Sequence, residues 1–113
     1  MSKNLDMTLL LDIYGDMLTE KQKDTLTLYY DEDLSLTEIA ENTGITRQGV
    51  HKCIRSAEEY LIQLEDTLRY AAKSHEINGV LNKMADIMGD ALDNNSKEYK
   101  KLLSCIDEIK EII

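Results

Sequence analysis

Not one of the 113 residues is proline. Proline breaks helices more surely than any other residue, because it lacks the N–H that the next turn needs and its ring clashes with the turn before. With no proline and only five glycines, the chain has few places at which to stop being helical. Its apolar residues also recur at steps of three and four, the period of a helix face. The expected fold class is all-α.

The spacing predicts six helical segments. The first covers Asn4 to Tyr14, with Asn4 as N-cap and Leu5, Leu9 and Ile13 on its inner face, and Gly15 ends it. The second runs from Thr19 to Tyr30, opened by a Thr19–Gln22 capping box, with Leu26 and Tyr29 inward. After the polar stretch Asp31–Glu32–Asp33, Ser35 and Glu38 form a second capping box, and Leu36, Ile39 and Ala40 make the stripe of a third helix. Gly44 stands where the chain must turn with positive φ. Thr46 then caps a fourth helix expected to run to about Lys73. Its apolar residues Val50, Ile54, Ala57, Leu61, Leu64, Leu68 and Ala71 are spaced as a heptad seam. A fifth stripe follows at Ile77, Leu81, Met84, Met88 and Ala91. A last helix opens with an Asn95–Glu98 capping box and carries Tyr99, Leu102, Ile106, Ile109 and Ile113 on one face. A lobe of residues 1–70 and a C-terminal helical extension of residues 71–113 are expected, the extension serving packing or dimerisation.

The third and fourth segments, joined by a short turn at Gly44, have the layout of a helix-turn-helix. Ala40 is small where two helices cross closely, and Ile39, Ile45, Val50 and either Cys53 or Ile54 fill the wedge between them. Thr46, Arg47, Gln48, His51, Lys52 and Arg55 are left facing outward on the second helix. Arg and Lys suit guanine edges and phosphates, Gln suits adenine, and a helix N-terminus with a Thr cap suits a phosphate. These six are the candidate nucleic-acid-binding residues. Leu61, Leu64, Leu68, Leu81, Met84 and Met88 are the candidate seam for a dimer or a partner helix, and a homodimer is expected.

Charge argues the other way. The chain has 22 acidic and 13 basic side chains, a formal net charge of −9. Residues 1–70 carry 14 acidic and 7 basic groups, and the rest 8 and 6. Overall charge therefore does not hold this protein to nucleic acid or to anionic lipid. Between Gly44 and Ala57, however, there are three basic residues, one histidine and no acid. Double-stranded DNA is the expected partner, bound weakly and in one orientation.

The stretch from Leu18–Thr19–Glu20–Lys21–Gln22 to Leu64 resembles region 4 of bacterial σ70-type factors. The likeness includes the spacing to Leu34–Ser35–Leu36, Ile39–Ala40 and Gly44–Ile45–Thr46–Arg47. The whole chain is similar to the YlxM family of small Gram-positive proteins in its length, its acidic balance, its Leu5–Tyr14 segment and Thr46–Arg47–Gln48–Gly49–Val50. That resemblance implies a cytoplasmic, helical, non-enzymatic DNA-binding regulator linked to the signal recognition particle pathway. Its alternative is a protein that docks on the particle's RNA or GTPases without binding DNA. Two features depart from the helix-turn-helix pattern: Gly49 lies inside the recognition helix, and Thr43 and Cys53 stand where apolar residues are usual.

Other chemistries find little support. His51 and His75 have no ligand-spaced neighbours, and Cys53 and Cys105 are far apart with no C-x-x-C, so they read as free thiols, with no metal and no cofactor expected. Asp31–Glu32–Asp33 lacks the Gly and the terminal Glu of a calcium loop. No phosphate-loop, dinucleotide or zinc-protease motif occurs, and no enzyme is expected. No apolar run exceeds three residues, as at Leu9–Leu11, far below the roughly 20 of a membrane span. The first six residues hold no apolar signal region, so a cytoplasmic location is expected.

Overall fold

The computed structural model of the chain describes residues 5–113 and, within α1, the side chains from Met7 onward. The expected Asn4 cap and the inward Leu5 side chain lie outside the described residues. The fold is all-α, with six α-helices: α1 Leu5–Tyr14, α2 Glu20–Leu26, α3 Leu36–Thr43, α4 Arg47–Leu68, α5 Tyr70–Ala91 and α6 Lys97–Ile112. A 3-10 turn, Gly15–Met17, links α1 to α2, and a π-helical turn, Thr27–Asp31, continues α2. The chain divides into two compact units, Met1–Ala71 and Ala72–Ile113.

In the first unit α4 packs against α1, α2 and α3. Leu26, Ile39, Val50 and Leu61 are the largest side chains fully shut from solvent, one or two from each of α2, α3 and α4. Burying each stabilises the unit by about 1.5–3 kcal/mol before entropy is counted. Helix ends form where the local chemistry provides for them. Thr19 and Ser35 each close a reciprocal capping box, with Gln22 and Glu38. Gly44 takes φ 79° and ends α3 with its N–H on the Ala40 carbonyl.

The inner face of α1 differs from the expected one. Met7, Leu10, Leu11 and Tyr14 are buried, whereas Leu9 is 47% exposed and Ile13 only half-buried. Apolar residues surround most of this helix, so periodicity alone allows more than one face. Contact with α4 selects the face ending in Tyr14.

The fourth helix also stops short of Lys73. It ends at Leu68, Arg69 takes φ 54°, and α5 begins at once. His75 and Asn78 lie inside α5. The heptad seam is therefore divided. Val50, Ile54, Ala57 and Leu61 are core of the first unit, Leu64 is half-buried against it, and Leu68 is 51% exposed.

The second unit is a hairpin of α5 and α6. The expected Asn95–Glu98 box does not form. Ser96 is the N-cap instead, accepting from the Tyr99 N–H at 3.1 Å, while the Asn95 N–H bonds Asp93 Oδ1 at 3.0 Å. Asp93 thus organises the turn and moves the cap one residue on. Lys110 Nζ donates to Asn82 Oδ1 at 2.8 Å and ties the two helices side by side. Leu81 and Ile106 are this unit's buried apolar residues, Met88 is half-buried, and Met84 is exposed.

Candidate nucleic-acid interface

The turn between α3 and α4 positions the site. Thr46 sits in extended backbone (φ −69°, ψ 155°), and its Oγ1 accepts from the Gly49 N–H at 3.0 Å. The Val50 N–H reaches the Thr46 carbonyl at 2.9 Å. Arg47 and Gln48 occupy the first two positions of the helix, where backbone N–H groups have no partner within the helix. Those two amides and the helix dipole point at whatever approaches the N-terminus. Thr46 contributes its capping oxygen inward and keeps its hydroxyl hydrogen for an outside acceptor.

Gly49 now has a physical reason. A Cβ there would lie 3.1 Å from Thr46 Oγ1, tighter than ordinary contact. A glycine lets the cap sit close against the first turn, at a helix-propensity cost of about 1 kcal/mol.

Arg47, Gln48, His51, Lys52 and Arg55 are all exposed. At 100° per residue they occupy an arc of about 140° on α4. Val50, Ile54, Ala57 and Leu61 hold the adjoining sector of the helix in the core, so the orientation of the basic arc is set by burial. The structure brings all six predicted residues to one surface at the start of α4.

That surface borders an open groove of about 900 Å³ lined by Tyr29 and Leu36 together with Arg47, Gln48, His51 and Arg55. Further along it, Glu58, Glu59 and Ile62 take over. Arg55 Nη2 is 3.8 Å from Glu59 Oε1, an exposed i,i+4 pair. Such pairs are weak, yet the contact moderates the cation furthest from the helix N-terminus.

Tyr30, and Tyr29, which was expected only as an inward residue of the second helix, support this groove. The Tyr30 hydroxyl donates to Glu58 Oε2, linking the π-helical turn to α4. Burial first, and then this bond to a carboxylate, push the Tyr30 phenol well above its usual range. Tyr29 packs edge-on against Tyr30, ring centres 5.0 Å apart, and forms the groove wall. Glu58 is buried although charged, and the hydroxyl above it is the partner that makes this tolerable. No residue spacing marked the π-turn that follows Leu26, although π-turns gather at functional sites.

The departures from pattern are also accommodated. Thr43 turns its hydroxyl back to the Ile39 carbonyl at 2.8 Å, so no polar group is stranded. Cys53 is half-buried with a free thiol. Among the described residues no group of three His, Cys, Asp or Glu side chains could hold a metal ion. No helix among them is long and apolar enough to cross a membrane.

Residues 1–109 match a protein family described as "Putative helix-turn-helix protein, YlxM / p13 like". The chain is 35% identical over 113 residues to a UPF0122 protein of Clostridium kluyveri, covering 100% of this chain and 96% of that protein. It is 36% identical over 121 residues to one of Clostridium perfringens strain 13, and 37% identical over 115 residues to one of Acetivibrio thermocellus. Each of these alignments covers 100% of this chain and 98% of the relative.

Proposed function

Because the chain belongs to this UPF0122 family of YlxM/p13-like helix-turn-helix proteins, we propose that it is a cytoplasmic DNA-binding regulator that reads the duplex with the N-terminal half of α4. The observation that carries the reading is the coincidence of three features at one place. These are an exposed arc with Arg47, Gln48, His51, Lys52 and Arg55, a helix N-terminus with two free amides, and a buried sector beside the arc that fixes its direction. Arg47 and Gln48 would address base edges, Thr46 and the first-turn amides a phosphate, and Lys52 and Arg55 the flanking backbone. The acidic remainder of the lobe repels the duplex from other approaches, so binding is weak and oriented.

The test is retardation or anisotropy of duplex DNA with the full chain. Arg47→Ala combined with Lys52→Ala should abolish binding with helicity unchanged. Log K should fall against log salt with a slope of about −2 to −3 per subunit, in line with two to three neutralised phosphates. Association that ignores salt, or none at about 50 mM salt, would overturn the reading.

We also propose a link to the signal recognition particle pathway, which the family resemblance implies. The same basic arc suits a structured RNA, since phosphate contacts carry no preference for DNA. Recovery of the particle's RNA or GTPase from lysate by the wild-type chain, lost in Arg47→Ala, would support the link. Recovery of neither would remove it.

A further inference from the structure

The hairpin of α5 and α6 leaves a large apolar surface open. On α5 it consists of Ile77, Val80, Met84 and Ile87, the last 60% exposed. On α6 it consists of Leu102, Ile109 and Ile112, the last 75% exposed, with the exposed thiol of Cys105 between them. Each stripe follows a 3, 4, 3 spacing, the seam of a helix meant for another helix.

The two stripes lie on one side of the hairpin. On α5 the exposed Val80 and Ile87 directly precede the more buried Leu81 and Met88, and on α6 the exposed Cys105 directly precedes the buried Ile106. Both stripes are therefore rotated by about 100° in the same sense from the inward faces. For antiparallel helices equal rotations in that sense point to the same side. The Lys110–Asn82 hydrogen bond closes the opposite side.

All seven aliphatic and methionine residues are 39% exposed or more, and a standard interface takes about 800 Å² from each partner. The largest apolar patch of an ordinary monomer is about 300–600 Å². Charge on the outer rim alternates in sign, with Lys83 and Asp90 on α5 and Lys101 and Glu108 on α6, all exposed.

We propose that this face receives a second copy of the chain, the two hairpins closing a four-helix bundle about a two-fold axis parallel to the helices. The Lys110–Asn82 bond sets the register within each hairpin. In this arrangement Val80 meets the partner's Ile112, and Ile87 meets the partner's Cys105. The same register brings Lys83 near the partner's Glu108 and Asp90 near the partner's Lys101, so each sign finds its opposite twice. A foreign helix would need its own matching rim, whereas the second copy already has it. The proposal rests on the hairpin alone and does not depend on the nucleic-acid reading. It also moves the dimer seam. Leu61 and Leu64 belong to the core of the first unit, Leu68 lies outside the hairpin, and Leu81 and Met88 face inward, so of the six residues first expected only Met84 lies on the new face.

Sedimentation equilibrium of the full chain at about 100 µM, well above the dissociation constant of a stable interface of this size, should give twice the chain mass. Ile87→Glu should weaken the dimer by about 100-fold or more. Lys83→Glu should weaken it about tenfold, and adding Glu108→Lys should restore it. This exposed charge exchange decides the matter even if Ile87→Glu disturbs the hairpin. A monomeric wild type, a dimer indifferent to Ile87→Glu, or a charge exchange that restores nothing would overturn the arrangement.

Discussion

The Tyr14 hydroxyl donates to Glu65 Oε1 at 2.6 Å, joining the end of α1 to the last turns of α4 across 51 residues. The same two groups receive the first amides of α5. Tyr70 N–H reaches the Tyr14 oxygen at 3.3 Å, and Ala71 N–H reaches Glu65 Oε1 at 3.0 Å. The pair acts as a cap built from tertiary structure. It provides for the N–H groups exposed when the helix breaks at Arg69, which occupies left-handed backbone at a cost of about 1–2 kcal/mol.

Removing that cap should loosen the junction. Glu65→Ala is expected to lower stability by about 1–3 kcal/mol, because it strands the Tyr14 hydroxyl and the Ala71 amide at once. Tyr14→Phe should cost about 1 kcal/mol. Urea midpoints measure both, and hydrogen exchange at Tyr70 and Ala71 should accelerate more than at Leu26.

Alkaline pH should act through the two bridging tyrosines. Burial, followed by the bond to Glu65, raises the Tyr14 phenol, and burial, followed by the bond to Glu58, raises Tyr30 further. A group whose folded pKa lies above its unfolded value contributes stability that is whole below the unfolded pKa, about 10 for Tyr. That contribution is lost as pH rises beyond it. Urea midpoints should hold steady up to about pH 9 and fall above about pH 10. Tyr14→Phe with Tyr30→Phe should flatten the fall. An equally steep fall in that variant would assign it to other groups.

The close approach of Gly49 to Thr46 predicts a coupled pair. Gly49→Ala should gain about 1 kcal/mol of helix propensity when Thr46 is already Ala. Beside the native Thr46 it should gain less than half of that, since the new Cβ crowds Oγ1 at 3.1 Å. Thr46→Ala alone should cost about 1 kcal/mol. A double-mutant cycle by thermal unfolding measures the difference, and strict additivity would mean that the cap shifts freely.

The division of the heptad seam predicts unequal costs along one helix. Leu61→Ala, at a site with no exposed surface, should destabilise by about 2–5 kcal/mol. Leu68→Ala, half exposed at the helix end, should stay within about 0.5 kcal/mol. Chemical denaturation of the two variants decides this, and equal costs would restore a continuous seam.

Much of the recognition surface was legible because it depends on short range. Thr19 and Ser35 cap their helices in boxes with Gln22 and Glu38 three positions on, Thr46 caps through its own hydroxyl on the Gly49 N–H, and Gly44 turns because it has no Cβ. Burial of Val50 and Ile54 follows from their step of four, and it carries Arg47, Gln48, His51, Lys52 and Arg55 outward with no further information. The groove wall at Tyr29, braced by Tyr30, was not legible, since it needs the π-turn and Glu58, 28 residues away from Tyr30.

By itself, then, the sequence determined that this protein is all-α, where most of its helices begin, and which side chains line the exposed arc of α4. Each of those depends on spacing within about one helical turn, where sterics and hydrogen bonding act between near neighbours. Only the tertiary structure decided which face of α1 is buried, where α4 ends, and which apolar stripe of the hairpin is left open. Those outcomes turn on partners far along the chain, Tyr14 with Glu65 and Asn82 with Lys110, and a helix that is apolar on several sides does not choose a face until such a partner is in place.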